Sequence, residues 1–161
     1  MSVRFQDESF PILKDYLNYQ QTIRQKSPKT VDEYFLDLRT FFRFMKVHRG
    51  IVSDDTPFDQ IQIIDIDAKF LDSITLADSF EFMNYLLRER GNNASSRARK
   101  CSSLKGFFKY IYKKKHLISS NPVEELEIPK KKKPCPSILL LSKALSFSML
   151  LTEIIKNETT Q

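Results

Sequence analysis

The chain has 161 residues, 41% of them hydrophobic, with three glycines and no tryptophan; this gives room for one domain with a core but supplies too few turn glycines for a sheet of tight hairpins. The formal net charge is +6, and it is unevenly spread: residues 1–90 carry 12 Lys/Arg against 15 Asp/Glu, residues 91–133 carry 12 against 3, and residues 134–161 carry 2 against 2. The concentration of positive charge in the middle block is the footprint of a polyanion partner, nucleic acid first and an anionic membrane surface second.

In chain order, Ser9-Phe10-Pro11 opens a first helix, with Ser9 as cap and the proline in the first turn. Ile12, Leu13, Tyr16, Leu17 and Ile23 then recur at helical spacing to about Gln25. Ser27-Pro28 starts a second helix in the same way. Val31, Tyr34, Phe35, Leu38, Phe41, Phe42 and Met45 form its buried stripe and Gly50 stops it. Residues 51–66, with Pro57 and several aspartates, read as a connecting loop, and Asp67 to Leu71 as a single helical turn. Thr75 and Asp78 have the spacing of a capping box. The helix that follows takes Leu76, Phe80, Met83, Leu86 and Leu87 as its core face and stops at Gly91. Asn93 to Lys115 is the fourth long helix, with Ala94, Ala98, Cys101, Leu104, Phe108 and Ile111 inward. Asn121 to Leu126 reads as a short capped turn, and Pro129 begins a basic tether, Lys130 to Lys133. The expected architecture is all-α, a compact bundle of four long helices with one or two short extra ones.

Few of the residue types that carry chemistry occur in a usable pattern. Cys101 lies on an apolar helix face and Cys135 has no partner at framework spacing, so Cys101 reads as a small core residue in a reducing compartment. The two histidines, His48 and His116, sit at basic helix ends, and no metal-ligand spacing is present. Asp54-Asp55 and Asp65-x-Asp67 read as caps and turn residues. No Gly-rich phosphate loop or nucleophile elbow appears. The N-terminus lacks an apolar signal core, and the longest apolar run, Ile138 to Leu141, cannot span a bilayer. These features imply a cytoplasmic protein with no cofactor and no membrane partner.

The fourth helix carries the binding signal. Opposite its apolar stripe lie Ser95, Ser96, Arg99, Lys100, Ser103 and Lys109, with Arg97 and Lys105 on the flanks. Small hydroxyls interleaved with Arg and Lys let a helix approach a duplex closely and donate to phosphates and base edges. Its first turn adds free backbone N–H groups that favour an anion. The second helix offers a similar outward set in Ser27, Lys29, Thr30 and Glu33, followed by Arg39, Arg43 and Lys46. Lys113-Lys114-Lys115 serves equally as a backbone clamp or as a complement to the helix dipole.

Two of these segments carry a family resemblance. Ser27-Pro28-Lys29-Thr30-Val31-x-x-Tyr34-x-x-Asp37-Leu38-x-x-Phe41, together with Ser95-Ser96-Arg97-Ala98-Arg99-Lys100-Cys101-Ser102-Ser103-Leu104-Lys105-Gly106-Phe107-Phe108-Lys109-Tyr110, resembles the N-terminal core-binding domain of the tyrosine recombinases, the Xer and phage-integrase family. Asn121-Pro122 and the Pro-Lys segment after it look like that family's exit into its interdomain linker. The resemblance covers about residues 5–133. It implies a SAM-like four-helix domain at residues 1–128 that forms half of a clamp around double-stranded DNA, with a linker at 129–133. Carried over position by position, it implies DNA contacts from Lys29, Thr30, Ser95, Ser96, Arg97, Arg99 and Lys100, to which Lys105 on the helix flank is added. It also implies other recombinase protomers on the same DNA as partners.

The family's catalytic tyrosine, arginines, lysine and histidines belong to its C-terminal domain, and no segment of this chain matches them. Tyr110 and Tyr112 lie on a packed helix and do not correspond to the nucleophile. In the family the linker is followed by Ala-Leu-Pro-Lys-Tyr-Leu-Thr and, some 20 residues on, by Glu-Arg-Asp-Tyr-Ala. Codons starting one nucleotide earlier let Pro134 to Leu140 and Lys156 to Gln161 read as those two segments. The expectation is therefore a reading frame shifted in the lysine tract, with residues 134–161 out of frame and the catalytic domain absent. The coding nucleotide sequence past Lys133 tests it. The competing reading of the whole chain is a protein-interaction module that binds a full-length recombinase or competes with it.

Overall fold

The computed structural model describes residues 7–128. The expectations for the tether at 129–133 and for the tail at 134–161, including the shifted frame, lie outside the described residues. Five α-helices follow in order: α1 (Pro11–Thr22), α2 (Pro28–His48), α3 (Ala68–Asp72), α4 (Leu76–Arg88) and α5 (Ala94–Lys113), with a 3₁₀ turn at Phe58–Gln60. The described residues contain no strand, so the all-α expectation holds.

The long helix α2 is the centre of the bundle, with α1, α4 and α5 packed against it. Its start is set by Ser27, whose Oγ accepts from the Thr30 N–H at 3.2 Å, and by Pro28 at the first helical position. Past its end Gly50 takes φ +64°, a left-handed turn that costs glycine little. Val31, Phe35, Leu38, Phe41, Phe42 and Met45 are buried as their spacing predicts. The core they enter is largely aromatic. Phe10, Phe42 and Phe107 meet edge to face, and Phe41 meets Phe82 and Phe108 in the same way, with centroid separations of 5.1 to 6.3 Å, the arrangement that the ring quadrupole favours.

Several expectations are corrected. Ser9 does not cap α1: Phe10 is the N-cap residue and makes no side-chain cap, while Ser9 is buried with its Oγ unpartnered. Seating the Phe10 ring against Phe42 and Phe107 fixes the entry of the chain and turns Ser9 inward. Helix α1 stops at Thr22, where the Thr22 hydroxyl bonds back to the Asn18 carbonyl, and Ile23 is left 68% exposed. The capping box of α4 is present in full, but the buried face it sets is Ser79, Phe82 and Leu86. Phe80 and Leu87, expected in the core, are about half exposed. Leu86 is buried as expected and Leu76 and Met83 pack against the core, while the small Ser79 side chain lets α4 approach on the other side of that face.

Residues 51–66 are more than a connection. Ile61, Ile63 and Ile66 are buried, and the strap is tied to α2 by side chains expected to face solvent. Arg43 Nε donates to the Ile61 carbonyl at 2.8 Å, and Lys46 Nζ to the Gln62 carbonyl at 2.7 Å and to Asp65. Burial pushes the Arg43 pKa down from its ordinary value. Beyond the strap Asp67 caps α3 by accepting from the Phe70 N–H at 2.8 Å.

At the far end Cys101 is buried, as expected, and burial pushes its thiol pKa up. Gly106 of α5 lies under Tyr16 of α1: a Cβ there would meet the Tyr16 hydroxyl oxygen at 2.7 Å. The turn at 121–126 seats Val123 and Leu126 in the core. Among the described residues no helix is long and apolar enough to cross a membrane.

Candidate nucleic-acid interface

Helices α2 and α5 run side by side in the same direction. Glu33 meets Arg99, Asp37 meets Ser103, Phe42 meets Phe107 and Phe41 meets Phe108, so contacts ascend both helices together. The offset is about 66 residues, which places the first turns of the two helices at one end of the bundle. Both positive dipole ends therefore face the same way.

Each start is built by a local cap. On α2 the Thr30 hydroxyl is within 2.9 Å of the Ser27 hydroxyl, and Lys29 is exposed beside it. On α5 Asn93 Oδ1 accepts from the Ser96 N–H at 2.8 Å; Ser95 is exposed, and Ser96 and Arg97 are half-buried. Arg97 Nε is buried with no hydrogen-bond partner. Neither Lys29 nor Arg97 has a carboxylate partner among the described residues. Lys29, Thr30, Ser95, Ser96 and Arg97 thus lie at one end of the bundle with two helix starts.

The remaining expected residues are engaged within the protein. The Asp37 carboxylate has no solvent exposure; it accepts from Lys100 Nζ at 2.9 Å and Ser103 Oγ at 2.8 Å and forms an ion pair with Arg99 Nη1 at 3.0 Å. Arg99 Nη1 also donates to Glu33. Lys100 keeps 13% of its side chain exposed and Arg99 keeps 43%. Lys105 donates to the carbonyls of Glu124 at 3.0 Å and Leu126 at 2.6 Å, fastening the exit turn to α5. Ser103, expected on the outward face, is buried against Asp37.

Asp37 is the residue the sequence reading missed. A signal existed, because Asp37 lies one turn before the core residue Phe41 and one turn after Glu33, on the edge of the buried stripe. An acid there requires cations from the facing helix, and α5 supplies two. The lysines after α5 divide as well. Lys115 pairs with Asp15 of α1 at 2.7 Å, and the hydrogen bond it donates to the Asp15 carboxylate holds its pKa up.

The sequence model of the family described as phage integrase, N-terminal SAM-like domain, matches residues 13–115. Among curated proteins, the tyrosine recombinase XerC of Caldanaerobacter subterraneus is 47% identical over 120 residues, covering 74% of this chain and 34% of the relative. XerC of Chlorobaculum parvum is 31% identical, covering 77% of this chain and 33% of the relative, and the tyrosine recombinase XerD of Listeria monocytogenes is 28% identical, covering 81% and 37%. The chain thus spans about a third of the length of these relatives. No solved structure matches it.

Proposed function

The chain belongs to the phage integrase family of N-terminal SAM-like domains, and from that premise we propose that it binds duplex DNA through the end of the bundle where α2 and α5 begin. The observation that carries the reading is the pairing of two parallel helix starts with Lys29 and Arg97, two cations without carboxylate partners among the described residues. Such an end attracts phosphates through charge and through backbone N–H groups together. In this reading Lys29, Thr30, Ser95, Ser96 and Arg97 touch the duplex directly. Lys100 and Lys105 shape the surface, by locking α5 to α2 and to the exit turn.

The biological setting is site-specific recombination, with residues 1–128 as the DNA-binding module, 129–133 as a basic linker and other recombinase protomers as partners on the same DNA. The chain supplies no nucleophile in this reading. Tyr110 packs against Tyr16 and Tyr19, and burial pushes its hydroxyl pKa up.

Fluorescence-anisotropy titration of the chain on duplex DNA at several salt concentrations tests the proposal. Affinity falls linearly on a double-logarithmic salt plot, and Lys29→Ala with Arg97→Ala reduces the slope by about 0.9 for each phosphate that is no longer neutralised. A slope unchanged in the double variant removes this end of the bundle as the docking face.

A further inference from the structure

The two cations at the helix starts differ from Arg99, which follows Arg97 by two residues. Around Arg99 the charges cancel: Arg99 and Lys100 face Asp37 and Glu33. A neutral cluster gives a phosphate no net attraction, and the 44% exposed Glu33 carboxylate repels one directly. Both carboxylates hold Arg99 through the same nitrogen, Nη1. Its Nε and Nη2 take no partner among the described residues and form one edge of the planar fork. That edge matches two acceptors on an uncharged partner, which in a duplex are O6 and N7 of guanine in the major groove. Glu33, beside it, is an acceptor suited to the N4 amino group of the paired cytosine.

We propose that Arg99 reads a guanine in the major groove, with Asp37 and Glu33 as positioning residues and Glu33 also facing the cytosine of the pair. The assignment rests on the duplex-binding reading above and deepens it: phosphate contacts at the helix starts set register, and Arg99 supplies sequence preference. Glu33 acts as a filter as well as a support. Without its charge the cluster becomes cationic and accepts a phosphate in place of a base edge.

The test uses the full chain and two readouts. Binding selection from a randomised duplex pool identifies the preferred position, and anisotropy titration then compares that duplex with one carrying 7-deazaguanine there, which lacks the N7 acceptor. The wild-type chain is expected to enrich one guanine and to lose about 10-fold in affinity on the 7-deaza duplex. Arg99→Gln, which removes the fork and leaves no cation that could donate to guanine O6 and N7, is expected to bind both duplexes equally while retaining the wild-type helical circular dichroism spectrum. Glu33→Gln is expected to bind unselected duplex more tightly with a steeper salt slope and a weaker guanine preference. A guanine preference that survives in Arg99→Gln overturns the inference, as does salt-dependent binding by wild type with no preferred guanine; both leave the duplex-binding reading standing. Absence of salt-dependent binding to any duplex by the folded wild-type chain overturns that reading, and this inference with it.

Discussion

Two hydrogen-bond donors and a further cation converge on the Asp37 carboxylate, which has no solvent exposure. Removing its charge leaves Lys100, itself largely buried, without a counter-ion at a helix–helix seam. Breaking such a pair from one side costs more than the pair contributes, because the surviving charge remains desolvated. Asp37→Asn is therefore expected to destabilise the fold by about 3 kcal/mol, read as a lowered urea midpoint with an unchanged m-value. A midpoint equal to wild type would mean that Lys100 reaches water readily. Gly106 offers a second residue-scale prediction. Alanine normally strengthens a helix interior by about 1 kcal/mol over glycine. Here its Cβ would press on the Tyr16 hydroxyl, and Tyr16 is packed against Phe107 and Tyr110 with no room to swing away. Gly106→Ala is expected to cost about 1–2 kcal/mol in the wild-type background. In a Tyr16→Phe background it is expected to cost less or to stabilise, so a double-mutant cycle with no coupling would contradict the contact.

At the scale of elements, the capping box of α4 links pH to stability. Burial alone would raise the Asp78 pKa, but the Thr75 N–H, the Arg49 guanidinium and the Thr75 hydroxyl all donate to the carboxylate and hold it below the ordinary value. A carboxyl depressed in the folded state stabilises above its unfolded pKa, and that contribution is lost as pH falls through the folded pKa. The Lys46 contact holds Asp65 down in the same direction. Their contribution should therefore begin to fall as pH drops through the ordinary carboxylate range, near pH 4, and be gone below the folded-state values. Asp78→Asn should lower the thermal midpoint at pH 7 but leave it nearly unchanged at about pH 2. Equal losses at both pH values would assign the effect to packing. The element scale also shows how far the sequence could be read. Caps at Ser27, Asp67 and Thr75 were legible because they depend on local side-chain-to-backbone bonds. The rotation of α4 was legible only in part: Leu86 is buried as expected, but Phe80 and Leu87 fit an apolar face with it as well as Phe82 does, and which side is buried depends on what α2 presents. Arg43 and Lys46 misled for a related reason. Their partners are backbone carbonyls of the strap, and a carbonyl leaves no trace in the sequence.

For the molecule as a whole, four long helices and the two helix starts of the candidate interface were legible, because periodicity and charge distribution reach across the chain. What was hidden is the division of labour among the cations. Composition counts Arg99, Lys100 and Lys105 with Lys29 and Arg97, whereas Asp37 and the carbonyls of the exit turn engage the first three within the protein. Cys101 provides a probe of the assembled core. Its thiol is buried and its pKa is raised by burial, so the nucleophilic thiolate is scarce in the native state. In a Cys135→Ser variant, alkylation of the remaining thiol is expected to track global unfolding, with a denaturant dependence matching the decay of helical signal. Labelling that outruns unfolding would show local opening around α5.

The parallel course of α2 and α5 has a consequence in time. The surfaces that meet along this seam are separated by about 66 residues of chain, including the strap and two further helices. Contacts of such long range form late, after the intervening chain has been ordered, because loop-closure entropy opposes them. On a ribosome, α1 to α4 emerge with Asp37 still lacking its cations and with the Phe41 and Phe42 rings still short of their Phe107 and Phe108 partners. The nascent chain gains its core, its internal charge balance and its aligned helix starts in a single step, when α5 arrives.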